Sequence, residues 1–187
     1  RNVLLVELST EKYKKLLEES KNHNINLIQF GIRRPAIWNM NTFKIIKNAK
    51  CDIITPDSLI DSKLKIKIQE QKNLITKQIL ELYRQDEILS QYFSYEGYSF
   101  WCAIKPIMQK LFETRIEHIA RDIQTIKALF QKITIDTAVI SSEIGITEQI
   151  IINEAKKHGV KLALLQHGIY YGTKEAKETN LSKGLYP

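Results

Sequence analysis

The residues best placed to do chemistry follow apolar runs. Gln166-His167-Gly168 comes directly after the run at residues 160–165. A histidine at the end of a buried strand would face a crevice, with a ring that titrates near neutral pH and can take or give a proton. The alternative is a ring that only caps a neighbouring strand's carbonyl. Gly168 lets the backbone come close to a ligand or turn sharply. Glu143 sits in Ser141-Ser142-Glu143-Ile144-Gly145, after another apolar run. If the two runs are neighbouring strands, its carboxylate can stand beside His167, raise the ring's pKa and orient it as a general base. Otherwise it is a solvated acid near a helix start. Arg33 and Arg34 are adjacent after a third run, where paired guanidinium groups can hold a phosphate or carboxylate. They can equally belong to a solvated loop. Trp38 is either a stacking surface or packing. Tyr95 lies in the most aromatic stretch, residues 92–101. That stretch is either the wall of a substrate groove or a loop plugging the core between two helices.

Other chemistries are missing. Glu7-Leu8-Ser9-Thr10 follows the first apolar run, where a dinucleotide-binding protein would place its glycine-rich turn. There is no nucleotide-hydrolase phosphate loop, no G-x-S-x-G elbow and no histidine pair at zinc spacing, so no metal site is expected. His23, His118 and His158 read as surface or helix-end residues. Cys51 and Cys102 match no metal spacing. Cys51 opens an apolar run and reads as a buried free thiol, in keeping with a reducing cytoplasm.

These residues need a scaffold that gathers them. Val3-Leu4-Leu5-Val6 is continuously apolar, as strands covered on both faces are. A helix start follows at Ser9, Thr10 and Glu11, then a strand over 25–30, a helix over 42–50 and a strand over 51–54. A strand over 138–141, a helix from the cap Thr147 to Lys157 and a strand over 160–165 close the chain. Alternation of this kind requires crossover connections, which parallel strands accommodate most simply. Between the two alternating parts, residues 62–131 carry apolar positions at helical spacing, with a second helix starting near Lys105-Pro106. The fold expected is α/β: a Rossmann-like three-layer domain over 1–187 with a mostly parallel sheet and a long-helix insertion over 62–131. Ligands of such sheets bind at the carboxyl ends of the strands. That selects residues 7–10, 31–38, 141–147 and 166–172.

Composition sets outer bounds. The chain has 187 residues, 43% hydrophobic and 26% charged, with a net charge of +7. Lysine supplies most of the excess and is dispersed along predicted helices, which describes solvated faces better than a nucleic-acid footprint. No specific nucleic-acid partner is expected, and a peripheral contact with an anionic membrane surface is compatible. No apolar stretch approaches the ~18 residues of a membrane span. Both ends read as excision boundaries, so the domain is taken as one half of a longer protein.

Tyr95-x-Gly97-x-x-Phe100-Trp101, Ile104-Lys105-Pro106, Ser141-Ser142-Glu143 and Leu165-Gln166-His167-Gly168, together with Arg33-Arg34-Pro35-x-x-Trp38-Asn39, form a familiar order. It resembles the amino-terminal half of surface-carbohydrate biosynthesis proteins of the GT-B glycosyltransferase type, among them capsule and teichoic-acid polymer enzymes. The resemblance implies two Rossmann-like halves across a cleft, the carboxy-terminal one holding the nucleotide-activated donor. It implies no tightly bound cofactor on this half, a nucleotide-sugar or CDP-alcohol donor, and a glycan or lipid-linked acceptor. His167 and Glu143 would be catalytic. Arg33, Arg34, Gln166, Gly168 and Tyr95 would contact substrate. The isolated half would be inactive, and the work would be done in the cytoplasm or at the inner membrane surface. The alternatives are a non-catalytic sugar- or nucleotide-binding scaffold module and half of a nucleotide-sugar epimerase.

Overall fold

The structure is a computed structural model, and it describes residues 1–165. Each expected strand forms within a residue or two. β1 spans Asn2–Val6, β2 Asn26–Phe30, β3 Asp52–Ile54, β6 Thr137–Ile140 and β7 Lys161–Leu164. They make one wholly parallel sheet in the order β3-β2-β1-β6-β7. α1 (Lys14–Glu19) and α2 (Met40–Ala49) connect the first three strands, and α7 (Ile146–Lys157) connects the last two.

Strand alternation sorts the core into two layers. Leu5 and Leu27 pack with Leu17 of α1 and Ile45, Ile46 and Ala49 of α2. Leu4, Val6, Ile28, Phe30, Ala138 and Ile140 face the other way. They meet Leu59 of α3 (Pro56–Leu59), Ile126 and Leu129 of α6 (Trp101–Lys132), and Ile151 and Ala155 of α7. The inner strands β2, β1 and β6 carry core on both faces, as their apolar runs demanded, while the edge strands β3 and β7 are largely exposed.

The middle of the chain is a helical arm. α4 (Ser62–Tyr83) packs along α6, joined to it by α5 (Asp86–Tyr92) and a two-stranded hairpin, β4 (Ser94–Tyr95) and β5 (Tyr98–Ser99). Lys72 pairs with Glu117 at 3.0 Å, and Tyr83 meets Trp101 and Phe112, so the helices run antiparallel. Phe93 stacks on Trp101, whose ring centroid lies 5.2 Å away. α6 starts at Trp101, one turn earlier than Pro106 suggested, and Pro106 lies inside it. A proline there forfeits a backbone hydrogen bond. The extra turn is held by Trp101, 1% exposed, whose indole N–H donates to Asp86 Oδ1 at 2.7 Å. Lys105 reaches the same carboxylate at 2.6 Å; its hydrogen bond, followed by that of Trp101, holds Asp86 below the usual carboxylate range. No helix among the described residues is long and apolar enough to cross a membrane.

Candidate functional site

The sheet order reverses at β1: the chain leaves it toward β2 and returns on its other side as β6. Loops diverge at such a point and leave a crevice at the carboxyl ends of the strands. A cleft of about 420 Å³ lies there, lined among others by Glu7, Lys12, Arg33, Arg34, Ser141 and Glu148. The loops after β1, β2 and β6 all contribute to it.

Glu7 builds the floor. It follows β1 directly and takes a left-handed backbone, φ 56°, while its N–H still donates to Phe30 O at 3.0 Å. Such a backbone costs a non-glycine residue about 1 kcal/mol or more. The conformation turns the side chain inward, where it is 7% exposed. Its Oε1 accepts the backbone N–H groups of Ile32 and Arg33, the latter at 2.9 Å. The loop after β2 is therefore pinned by a carboxylate from the loop after β1. Gly31 makes the bend, since a Cβ there would overlap the Arg34 carbonyl.

Arg33 bridges two acids. Its guanidinium donates to Glu148 Oε1, and its Nε lies 3.8 Å from Glu7 Oε2. Glu148 is in the first turn of α7 and 3% exposed, folded back over Gly145, where any side chain would strike its carboxylate. Glu7 Oε2 and Glu148 Oε2 are buried and have no hydrogen-bond partner among the described residues. The cluster has more acceptors than donors, a state that buried polar groups rarely keep unless something else meets them. The Arg33 side chain remains 57% exposed, so its other N–H groups face outward from a fixed base. Lys12, Arg33 and Arg34 against Glu7 and Glu148 leave the lining one positive charge in excess.

Two further contacts stiffen the surround. Asp122 of α6 accepts from the Thr147 hydroxyl at 2.8 Å, tying α6 to the first turn of α7. Burial raises its carboxyl above the usual range, against the opposing pull of Thr147, Arg121, His118 and Arg33. On the other side, buried Thr10 donates to Ala36 O at 2.6 Å, and buried Gln29 donates to Leu8 O at 2.6 Å.

The chain matches no protein-family model, no curated protein and no solved structure. Its chemistry therefore has to be read from the cleft itself. Arg33 and Arg34 line it, as their position after a strand implied. Glu143 is half-buried in the loop between β6 and α7, and its carbonyl accepts from the Gln149 side chain, but it is not among the lining residues. Tyr95 is exposed on the hairpin beside Trp101. The 22 residues of α6 from Trp101 to Asp122 span about 30 Å at ~1.5 Å per residue, so Tyr95 does not share a site with Arg33. Gln166, His167 and Gly168 lie outside the described residues, which end with Leu165 N donating to Ile140 O at 2.8 Å. The acids that enter the cleft, Glu7 and Glu148, were not singled out from the sequence. Glu7 carried a signal: an acid stands immediately after a buried strand, where a glycine is usual. Glu148 carried none beyond a place in a helix's first turn. Among the described residues, no group of three or more His, Cys, Asp or Glu side chains could hold a metal ion.

Proposed function

We propose that this domain binds a phosphate-bearing, hydroxyl-rich ligand in the switch-point cleft and serves as the acceptor-side half of a sugar-nucleotide- or CDP-alcohol-dependent transferase of surface-polysaccharide biosynthesis. The observation that carries this reading is the Glu7–Arg33–Glu148 cluster. A guanidinium held by two buried carboxylates is pre-organised to donate its remaining hydrogen bonds, although the two acids neutralise its charge. Arg34 and Lys12 add the charge that a phosphate requires. The unpartnered carboxylate oxygens favour a ligand that also brings hydroxyl donors, as a glycan does. Glu143, Gln166, His167 and Gly168 keep the roles that the resemblance implies. The domain works with a carboxy-terminal partner half that carries the donor. The free thiols Cys51 and Cys102 agree with a cytoplasmic setting.

The test has two arms. Calorimetric titration of this chain with inorganic phosphate and with glycerol 3-phosphate should show binding that Arg34→Gln weakens at least tenfold. The two-domain protein should release nucleotide from a nucleotide-sugar or CDP-alcohol panel only when acceptor is present, and lose that release in His167→Ala. Absence of phosphate binding would sink the proposal. Binding without acceptor-dependent release would favour the scaffold alternative.

A further inference from the structure

The polar cleft does not end at Arg34. A second recess of about 310 Å³ is lined by Leu8, Ser9, Arg34, Pro35 and Trp38. Leu8, Ser9 and Arg34 belong to both spaces, so the two are continuous and Arg34 stands at their junction. The recess is mainly apolar, whereas the cleft is lined by five charged side chains.

Trp38 is 47% exposed, yet its loop is not loosely held. Its backbone N–H donates to Thr42 Oγ1 at 3.1 Å, next to the α2 cap formed by Asn39 and Thr42. Two residues earlier, Ala36 O is fixed by fully buried Thr10. A large indole is thus kept half in solvent by a loop anchored on both sides of it. Burial would have been the more favourable use of that ring, since tryptophan carries one of the largest apolar surfaces of any side chain.

We infer that Trp38 and Pro35 form a ring-binding subsite, which takes the flat or apolar face of a ring whose attached phosphate lies on Arg34. The inference rests on the phosphate-binding reading and deepens it by naming what the phosphate must be attached to. A sugar phosphate and a nucleotide both have this chemistry. Stacking of a ring on an aromatic side chain strengthens binding by roughly 5- to 150-fold where it has been measured for bases.

Intrinsic fluorescence tests this directly. The chain has two tryptophans, and Trp101 is buried about 30 Å along α6 from Asp122, so a ligand-induced change reports on Trp38. The full chain is titrated with CMP, with N-acetylglucosamine 1-phosphate and with ringless glycerol 3-phosphate, following fluorescence and heat. At least one ring phosphate should change Trp38 emission and bind at least tenfold tighter than glycerol 3-phosphate. Which one does so identifies the ring as base or sugar. Trp38→Ala should erase that advantage and Trp38→Phe should restore part of it. Glycerol 3-phosphate binding with no added affinity for either ring phosphate would overturn the subsite and leave the phosphate reading standing. Equal weakening of all three ligands by Trp38→Ala would also overturn it. Failure of every phosphate to bind would remove both.

Discussion

Replacing Arg33 by methionine keeps the stem of the side chain and its packing but removes the guanidinium that holds Glu7 and Glu148 together. The backbone N–H of Arg33 still donates to Glu7, so the loop after β2 keeps its main anchor. Two carboxylates, 7% and 3% exposed, then lose the one cation that pairs with them among the described residues. Breaking a fully buried ion pair from one side costs about 3–5 kcal/mol. Here the arginine is more than half exposed, so water enters where it leaves and the cost falls to about 2 kcal/mol. With a urea slope of about 2 kcal/mol per molar, the unfolding midpoint at pH 7 moves down by about 1 M. Circular dichroism followed through a urea titration measures it. The double variant Arg33→Met, Glu148→Gln supplies the decisive comparison. If the loss comes from the stranded Glu148 charge, the double variant is less destabilised than the sum of the two single variants by about 1–2 kcal/mol. Strict additivity, or a midpoint shift below about 0.25 M for Arg33→Met, would refute the idea that the acids and the guanidinium are held as one unit.

Two further outcomes follow from the titrating groups. Asp122 has a carboxyl raised by burial, so its folded-state pKa lies above the unfolded value of ~3.9. Its contribution to stability is complete below that unfolded value and is lost as pH rises through the folded one. Asp122→Asn keeps an acceptor for Thr147 and has no such loss, so thermal unfolding of the variant should match the parent near pH 3 and exceed it at pH 7. A variant less stable than the parent at pH 7 contradicts this. Cys51 is buried and its thiol is pushed up to about 11, whereas Cys102 is exposed. At pH 8 a thiol reagent should therefore modify one cysteine per chain promptly and the second only on unfolding. Prompt loss of both thiols in folded protein would show that the β3 end of the sheet is open.

The strands were legible because each is a short apolar run closed by turn residues, and the parallel sheet repeats that pattern five times. Position along the chain then located three of the cleft's loops through the rule for strand ends. What the sequence concealed was the identity of the acids. Glu148 meets Arg33 only because α7 starts beside β2's loop, a contact across 115 positions. Thr10 looked like a helix cap and instead serves Ala36, because the chain turns once more before α1 begins at Lys14. Thr147 likewise read as a cap. Gly145 occupies that place, and Thr147 is one of the residues that join α7 to α6. In each case a short polar side chain chose a partner distant in sequence over the local backbone. The aromatic stretch was read as either plug or groove wall. Its inward members, Phe93 and Trp101, seal the arm, while Tyr95 and Tyr98 remain outside.

The left-handed backbone at Glu7 links fold to site. A glycine there would relieve the strain at no steric cost, and it is what a phosphate-binding first loop commonly uses. Keeping glutamate means that the side chain returns more than the strain takes away. Two hydrogen bonds to a charged acceptor contribute about 1.5–3 kcal/mol each, against about 1–2 kcal/mol for the backbone. The net gain fixes the loop that carries Arg33, Arg34 and Trp38. An acid in place of glycine blocks a backbone approach of pyrophosphate to the β1 turn, so under the proposed function contact with an anion falls to side chains on the β2 loop. The first turn of this sheet therefore holds an arginine in place with a side chain instead of offering its own backbone.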